Sequence, residues 1–241
     1  MRFFLFLAKG VCDMEKVKAV LLDVDNTILD FHQCARAAMQ ATFKDGGLAY
    51  EEEMFPVFME VNDYLWEELE KETLSREELY KIRWKLIFER LGIEGTDPVD
   101  FDATFRKYIG GFAFPIEGAY ELLDYLSKKY ILCIASNASR KRQLKRLTTA
   151  NMLSYVKYVF TSEEIGHPKP EKAFFDACLS TLEGIRAEET VVIGDSLTAD
   201  IAGGVTAGMK TIWYNHFRVP APADFSGDHI VNSLQEIQNI L

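Results

Sequence analysis

Two carboxylates one residue apart, Asp23 and Asp25, follow an apolar run from Val17 to Leu22 broken only by Lys18. Such a run, rich in branched side chains, reads as a buried strand. Burying a carboxylate is expensive unless it is paired or metal-bound. Both acids therefore belong at the open carboxyl end of the strand, where parallel α/β sheets bind their ligands. Asp23 can serve there as nucleophile, metal ligand or both, and Asp25 as a nearby acid/base. The plain alternative is a strand-to-loop turn, where Asp and Asn are common.

The same order of apolar strand and then polar residues recurs along the chain. The run from Tyr130 to Ala135 ends at Ser136-Asn137, and Thr190 to Gly194 ends at Asp195, with Ser196 and Asp200 shortly after. Between them, Gly166-His167-Pro168-Lys169-Pro170 sets a lysine just ahead of a helical stretch. Parallel strands would bring all these ends to one rim. Each residue also has an ordinary reading: a helix cap for Ser136-Asn137, a surface lysine for Lys169, a turn residue for Asp195.

The elements needed to position them are legible. Strands are expected at Val17 to Leu22, Tyr130 to Ala135, Tyr155 to Thr161, Thr190 to Gly194, Lys210 to Tyr214 and near Ile230. Helices between them cover Ala119 to Lys129, Arg140 to Leu147, Pro170 to Leu182, Asp200 to Ala207 and Leu234 to Leu241. Alternating strands and helices give an α/β, Rossmann-like parallel sheet of about five to six strands with crossover helices. The basic run Arg140, Lys141, Arg142, Lys145 and Arg146 reads as a solvated helix face rather than a phosphate-steering one.

Residues 31–112 interrupt that alternation with helices alone. Phe31 to Phe43 is helix-compatible, and Gly46-Gly47 breaks it. Met54, Phe58, Val61, Leu65 and Leu69 recur at steps of three and four. Ser75 and Glu78 have capping-box spacing, Leu74 and Leu79 form a hydrophobic staple, and Gly92 is a natural stop. A fourth helix is expected over Asp100 to Ile109. The division is a core of residues 1–30 and 113–241 with an inserted all-helical domain of residues 31–112, entered and left through breakable loops as a mobile cap requires. A helical lobe fixed against the core is the alternative.

Composition narrows the function. The 241 residues are 48% hydrophobic and carry a net charge of −10, a globular pattern that disfavours nucleic-acid polymers and anionic membranes as partners. A small phosphorylated substrate needs only a local positive site. Cys12, Cys34, Cys133 and Cys178 are scattered, with no zinc-like spacing, and buried thiols in a reducing cytoplasm are the expectation. The opening Met1-Arg2-Phe3-Phe4-Leu5-Phe6-Leu7-Ala8 is short for a signal peptide and lacks a cleavage pattern. Residues 1–13 read as an upstream extension, with Met14 an alternative start.

Taken together, the polar strand ends resemble the four motifs of the haloacid-dehalogenase-like hydrolase superfamily over essentially the whole chain. The D-x-D-x-T motif is Asp23-Val24-Asp25-Asn26-Thr27. The strand-ending hydroxyl is Ser136, the lysine motif Lys169-Pro170, and the G-D-S/T motif Gly194-Asp195-Ser196 with Asp200. The resemblance implies a phosphomonoesterase in which Asp23 attacks phosphorus to form an aspartyl-phosphate. Asp25 would protonate the leaving oxygen and then activate water. Mg²⁺ would be held by the Asp23 carboxylate, the Asp25 main-chain carbonyl and Asp195, with Asp200 orienting Lys169 or a metal-bound water. Magnesium and Lys169 would keep Asp23 ionised while Asp25 holds a proton. Ser136, the Asn137 backbone and Lys169 would bind the phosphoryl oxygens.

Haloacid dehalogenases generally lack the second acid, so Asp25 favours phosphoryl chemistry. The insertion resembles the helical-cap phosphatase subgroup and is most similar to the pyrimidine 5′-nucleotidase type. Val61-Asn62 before Leu65-Trp66, Phe114-Pro115 before Gly118-Ala119, Ser162 to Gly166 and Ala202-Gly203-Gly204 carry that likeness. Phe31, Trp66 or Phe112 can stack on a base, though aromatics at helical spacing more often belong to a core. Sugar-phosphate or phosphoglycolate phosphatase, phosphomutase and non-catalytic binding protein are the competing functions. Monomer or homodimer is the expected state.

Overall fold

The computed structural model describes residues 14–241. Cys12 and the expectation of an upstream extension at residues 1–13 lie outside them. The described chain divides into two compact units, residues up to Asp30 with Pro115–Leu241, and Phe31–Phe114.

The first unit holds a parallel sheet of six strands: β1 (Ala19–Leu22), β2 (Ile131–Ser136), β3 (Tyr158–Thr161), β4 (Thr190–Gly194), β5 (Lys210–Tyr214) and β6 (His229–Val231), ordered β3-β2-β1-β4-β5-β6. The expected Rossmann-like sheet is what these residues form. Helices clothe both faces, so β1, β2 and β4 are apolar on both sides rather than alternating. Ala19 and Leu21 join Cys133, Val192, Phe174, Phe175 and Cys178 in one core cluster. Val20, Leu22, Ile134 and Ile193 are fully buried as well. Cys133 and Cys178 are buried thiols, as expected.

The strand order has a consequence for function. The chain leaves β1 for β2 on one side and later returns to β4 on the other, so β1 is the topological switch point. Neighbouring connections there run in opposite directions and open a crevice at the carboxyl ends. Asp23 and Asp25 leave β1 at that place.

Most helix boundaries agree with the periodicity: Ala119–Lys129, Arg140–Thr149, Lys172–Thr181 and Leu234–Ile240. One segment differs. The expected helix Asp200 to Ala207 starts earlier, as a wide turn over Leu197–Ile201 that runs on into Ala202–Thr206. Ser196 Oγ caps it through Ala199 N at 3.0 Å, and the Ser196 carbonyl accepts from both Asp200 N and Ile201 N. Widened turns of this kind are frequent at functional sites.

The second unit consists of the helices Phe31–Asp45, Met54–Glu70, Arg76–Leu91 and Pro98–Ile109. Its capping box is complete: Ser75 Oγ accepts from Glu78 N, the Glu78 carboxylate accepts from Ser75 N, and Gly92 ends the helix at φ 66°. The fourth helix starts two residues before Asp100 because Asp97 caps it and Pro98 fits its first turn. Trp84 centres the core, with ring centroids of Phe43, Phe58, Phe88, Phe101 and Phe105 4.6–6.0 Å away. Phe31, Trp66 and Phe112 pack against this same core.

Candidate active site

The strand ends singled out by sequence place their side chains in two groups, Asp23 with Lys169 and Asp200, and Asp25 with Gln143 and Ser136, with Asp195 close to the first. Asp23 follows β1 directly, its N–H donating to the Ile193 carbonyl of β4 at 2.9 Å. The chain then turns sharply: Asn26 takes a left-handed conformation at φ 59°, and the N–H groups of Thr27, Ile28 and Leu29 converge on the Val24 carbonyl. Asparagine tolerates that backbone better than most residues. The turn fixes Asp25 beside Asp23 without burying either in the sheet.

Lys169 is the hub. Its ammonium donates to Asp23 Oδ1 at 2.8 Å, Asp200 Oδ1 at 2.6 Å and the Ala135 carbonyl at 2.8 Å. It is 2% exposed, and Asp200 is 1% exposed. Burial alone would lower the lysine's pKa, but the fields of Asp200 and Asp23 and their hydrogen bonds raise it above the usual range. The ammonium is therefore held charged.

The lysine's backbone is held too. Lys169 N donates to Asn137 Oδ1 at 2.8 Å, and Asn137 Nδ2 donates to the Lys169 carbonyl at 2.9 Å. The expected task of Asn137 was phosphoryl binding by its backbone; its side chain spans 32 residues to anchor the lysine loop. Ser136 stands at the end of β2, buried, with its hydroxyl oxygen accepting from Gln143 Nε2 and Ala138 N.

Asp23, Asp195 and Asp200 form an acidic group whose carboxylate oxygens lie within 4.8 Å of one another. Trp213 Nε1 donates to the Asp195 main-chain carbonyl at 2.9 Å and fixes that loop. Burial raises the Asp23 carboxyl to about 7, aided by Asp200 and Asp25 and opposed by Lys169. Burial, then Asp23 and Asp200, raise Asp195 well above the ordinary range. Lys169 pairs with Asp23 and Asp200, and the half-buried Asp195 adds a third carboxylate to an all-oxygen donor set. That set fits a hard divalent cation; Asp200, expected to orient Lys169 or a metal-bound water, lies close enough to offer an oxygen as well.

Asp25 points its carboxylate at a different partner set. Arg146 Nη1 donates to Asp25 Oδ1, Gln143 Nε2 to Oδ2 at 3.0 Å, and Arg142 Nη2 lies 3.8 Å from Oδ2. Burial pushes this carboxyl up, but Arg146, Arg142 and the hydrogen bonds outweigh it and hold it below the usual range. The expectation of an ionised Asp23 beside a protonated Asp25 belongs to a site with Mg²⁺ bound; without the ion the shifts run the other way, Asp23 up and Asp25 down. The cause is burial at Asp23, with Asp200 and Asp25 adding to it, and the guanidiniums of Arg146 and Arg142 at Asp25.

This corrects the reading of the basic helix. Lys141 and Lys145 are exposed, but Arg146 is 1% exposed and Gln143 fully buried. Gln143, Arg146 and Leu147 share one face at steps of three and four, a spacing that marks an inward face. A net basic composition hid it.

Comparison with known proteins follows the same line. The model of the haloacid dehalogenase-like hydrolases matches residues 17–208. The chain is 31% identical to YfnB of Bacillus subtilis, across 95% of this chain and 97% of that one. It is 32% identical to the pyrimidine 5′-nucleotidase PynA of Streptococcus pneumoniae, across 93% and 94%. To the pyrimidine 5′-nucleotidase YjjG of Escherichia coli it is 27% identical, across 92% and 96%. The crystal structure of YfnB bound to magnesium matches at a TM-score of 0.88 over 93% of this chain and 98% of that one, with 30% identity. The chain belongs to the haloacid dehalogenase-like hydrolase family and is a hydrolase.

Proposed function

We propose that this protein is a Mg²⁺-dependent phosphomonoesterase working through an aspartyl-phosphate on Asp23, with pyrimidine nucleoside 5′-monophosphates as its substrate class. The observation that carries the reading is the shared environment of Asp23. One of its oxygens is tied to Lys169, and its carboxylate sits within 4.8 Å of two further acids, the buried Asp200 and the half-buried Asp195. Asp23, the Asp25 main-chain carbonyl and Asp195 would hold the ion, with Asp200 beside them on Lys169, and the ion supplies neutralisation of phosphoryl and carboxylate charge when bound. The two relatives named as pyrimidine 5′-nucleotidases, alike over almost their whole length, support the substrate class.

The chain's own groups divide the work. Asp23 forms the bond to phosphorus while the bond to the leaving oxygen breaks; Lys169 keeps the attacking carboxylate ionised and neutralises phosphoryl charge. Ser136 binds a phosphoryl oxygen. Asp25 supplies the proton to the leaving oxygen, then takes one from the water that hydrolyses the aspartyl-phosphate. The guanidiniums around Asp25 favour its ionised form, which suits the second step. A phosphoryl dianion nearby opposes them and raises the proton affinity needed for the first. The same reading makes residues 1–30 and 113–241 the catalytic domain and residues 31–112 a cap domain, in a cytoplasmic enzyme.

The test is phosphate release from a panel of nucleoside 5′-monophosphates, sugar phosphates and phosphoglycolate, with and without Mg²⁺. Release should need the ion, be highest on pyrimidine nucleotides and vanish in Asp23→Asn. Full activity in that variant would refute the nucleophile. Interconversion of glucose 1-phosphate without free phosphate would make the enzyme a mutase instead.

A further inference from the structure

Gln143 touches two groups that have separate tasks. Its Nε2 donates to Ser136 Oγ at 2.8 Å and to Asp25 Oδ2 at 3.0 Å. Its Oε1 accepts from Arg146 Nη1 at 3.2 Å, and the same arginine nitrogen donates to Asp25 Oδ1. The arginine contact fixes which end of the amide faces which neighbour: turned over, the amide would point an oxygen at the Asp25 carboxylate and a nitrogen at a guanidinium. Gln143 is fully buried, and each of its amide groups is spoken for.

The bonds on Ser136 have a directional effect. A hydroxyl has two acceptor positions and one donor. Gln143 Nε2 and Ala138 N, at 2.8 and 3.1 Å, fill both acceptor positions. The remaining proton is then available only for donation, which is what a phosphoryl oxygen requires. On the other side, the same nitrogen and Arg146 hold both oxygens of Asp25, so the carboxylate cannot rotate about its last bond without losing both contacts.

We propose that Gln143, locked by Arg146, is a positioning residue that orients the Ser136 hydroxyl as a donor and the Asp25 carboxylate for proton transfer, so that phosphate binding and leaving-group protonation are aligned by one amide. This rests on the phosphatase reading above. It adds two residues, Gln143 and Arg146, that act through others and do not touch the substrate's reacting atoms.

A double-mutant cycle with two kinds of leaving group tests it, on the full chain with Mg²⁺. Gln143→Leu removes the amide. Gln143→Glu keeps its shape but lacks both N–H donors, and thermal unfolding identifies which variant retains the parental fold. For uridine 5′-monophosphate, whose leaving oxygen needs a proton, kcat should fall by roughly tenfold or more, within the range for a general acid. In an Asp25→Asn background the same substitution should lower kcat by less than about twofold, because residues acting through one another are not additive. For 4-nitrophenyl phosphate, whose leaving group needs no proton, the first-turnover release of nitrophenol should fall much less than uridine release does. Equal losses on both substrates, additive losses with Asp25→Asn, or parental kcat in a folded Gln143→Glu would each overturn the proposal. No Mg²⁺-dependent phosphate release by the parent protein would instead refute the phosphatase reading itself.

Discussion

Gly194 and Asp200 occupy each other's space: a Cβ placed on Gly194 would fall 2.1 Å from Asp200 Oδ2 and 2.3 Å from its carboxyl carbon. The carboxylate cannot retreat, because Oδ1 is held by Lys169 at 2.6 Å and Oδ2 by Ser196 N at 3.2 Å. The glycine before Asp195 is thus what lets the Asp200 acid lie across the end of β4. Gly194→Ala should cost about 1–3 kcal/mol through overpacking and should also weaken Mg²⁺ binding. Urea unfolding together with calorimetric Mg²⁺ titration checks both. A variant that keeps parental stability and affinity would show that Asp200 has room to move.

Lys169 neutralises two buried carboxylates at once, so its removal strands both. Lys169→Met should destabilise the protein by about 3–5 kcal/mol, the range for breaking a buried ion pair from one side. Mg²⁺ should stabilise the variant, since a cation bound to the native acids shifts folding by mass action. Chemical denaturation with and without MgCl₂ measures both effects. A loss under about 1 kcal/mol would contradict the claim that this ammonium is what holds the two buried carboxylates.

The legible parts of the chain were those in which local sequence and tertiary demand agree. The runs Ala19–Leu22 and Thr190–Gly194 are buried on both faces, so apolar residues fill them and the first polar residue marks the rim. Ser75, Glu78 and Gly92 state their own capping roles. The strand-end acids and Lys169 meet because parallel topology forces their ends together. What stayed hidden depends on distant partners. Arg146 looks solvated within its helix, and its ion pair with Asp25, 121 residues earlier, cannot be seen locally. Asn137 looks like a cap residue or a backbone donor, yet its amide serves the Lys169 loop. Trp213 lies in an apolar strand, and nothing local says that its indole holds the Asp195 carbonyl.

The helical unit carries a buried ion pair of its own. Arg83 reaches Asp102 Oδ1 through Nε and Nη2 at 3.0 and 2.6 Å, while Arg106 Nε lies 2.6 Å from Oδ2. Arg83 also lies over the Phe105 ring at 4.9 Å and donates to Asn62 Oδ1 at 3.3 Å. Asp102→Ala leaves the Arg83 charge buried and should cost about 3–5 kcal/mol. Arg106, whose side chain is 39% exposed, should cost no more than about 1 kcal/mol when replaced by alanine. Thermal unfolding of the two variants gives the contrast; equal losses would contradict the burial argument.

If the acid cluster holds Mg²⁺ as proposed, its titration sets the pH dependence of the ion's stabilising effect. Asp23 is raised from 3.8 to about 7 by burial among acids, and Asp195 is raised as well. Between about pH 4 and pH 7 the unfolded chain has released the Asp23 proton while the native one retains it. The native state then binds more protons, so without metal its stability falls as pH rises through that window. Asp25, lowered by its guanidiniums after burial is outweighed, works the other way: its contribution is present above its unfolded value and is lost as pH falls below it. The two effects thus fall in different ranges. A divalent cation favours the ionised acids and opposes the loss above pH 4. The rise in Tm produced by Mg²⁺ should therefore be larger at pH 8 than at pH 5, and the difference should shrink in Asp23→Asn. Thermal unfolding from pH 5 to 8, with and without MgCl₂, measures it. A Tm shift that stays constant with pH would mean that Asp23 and Asp195 are already ionised at pH 5.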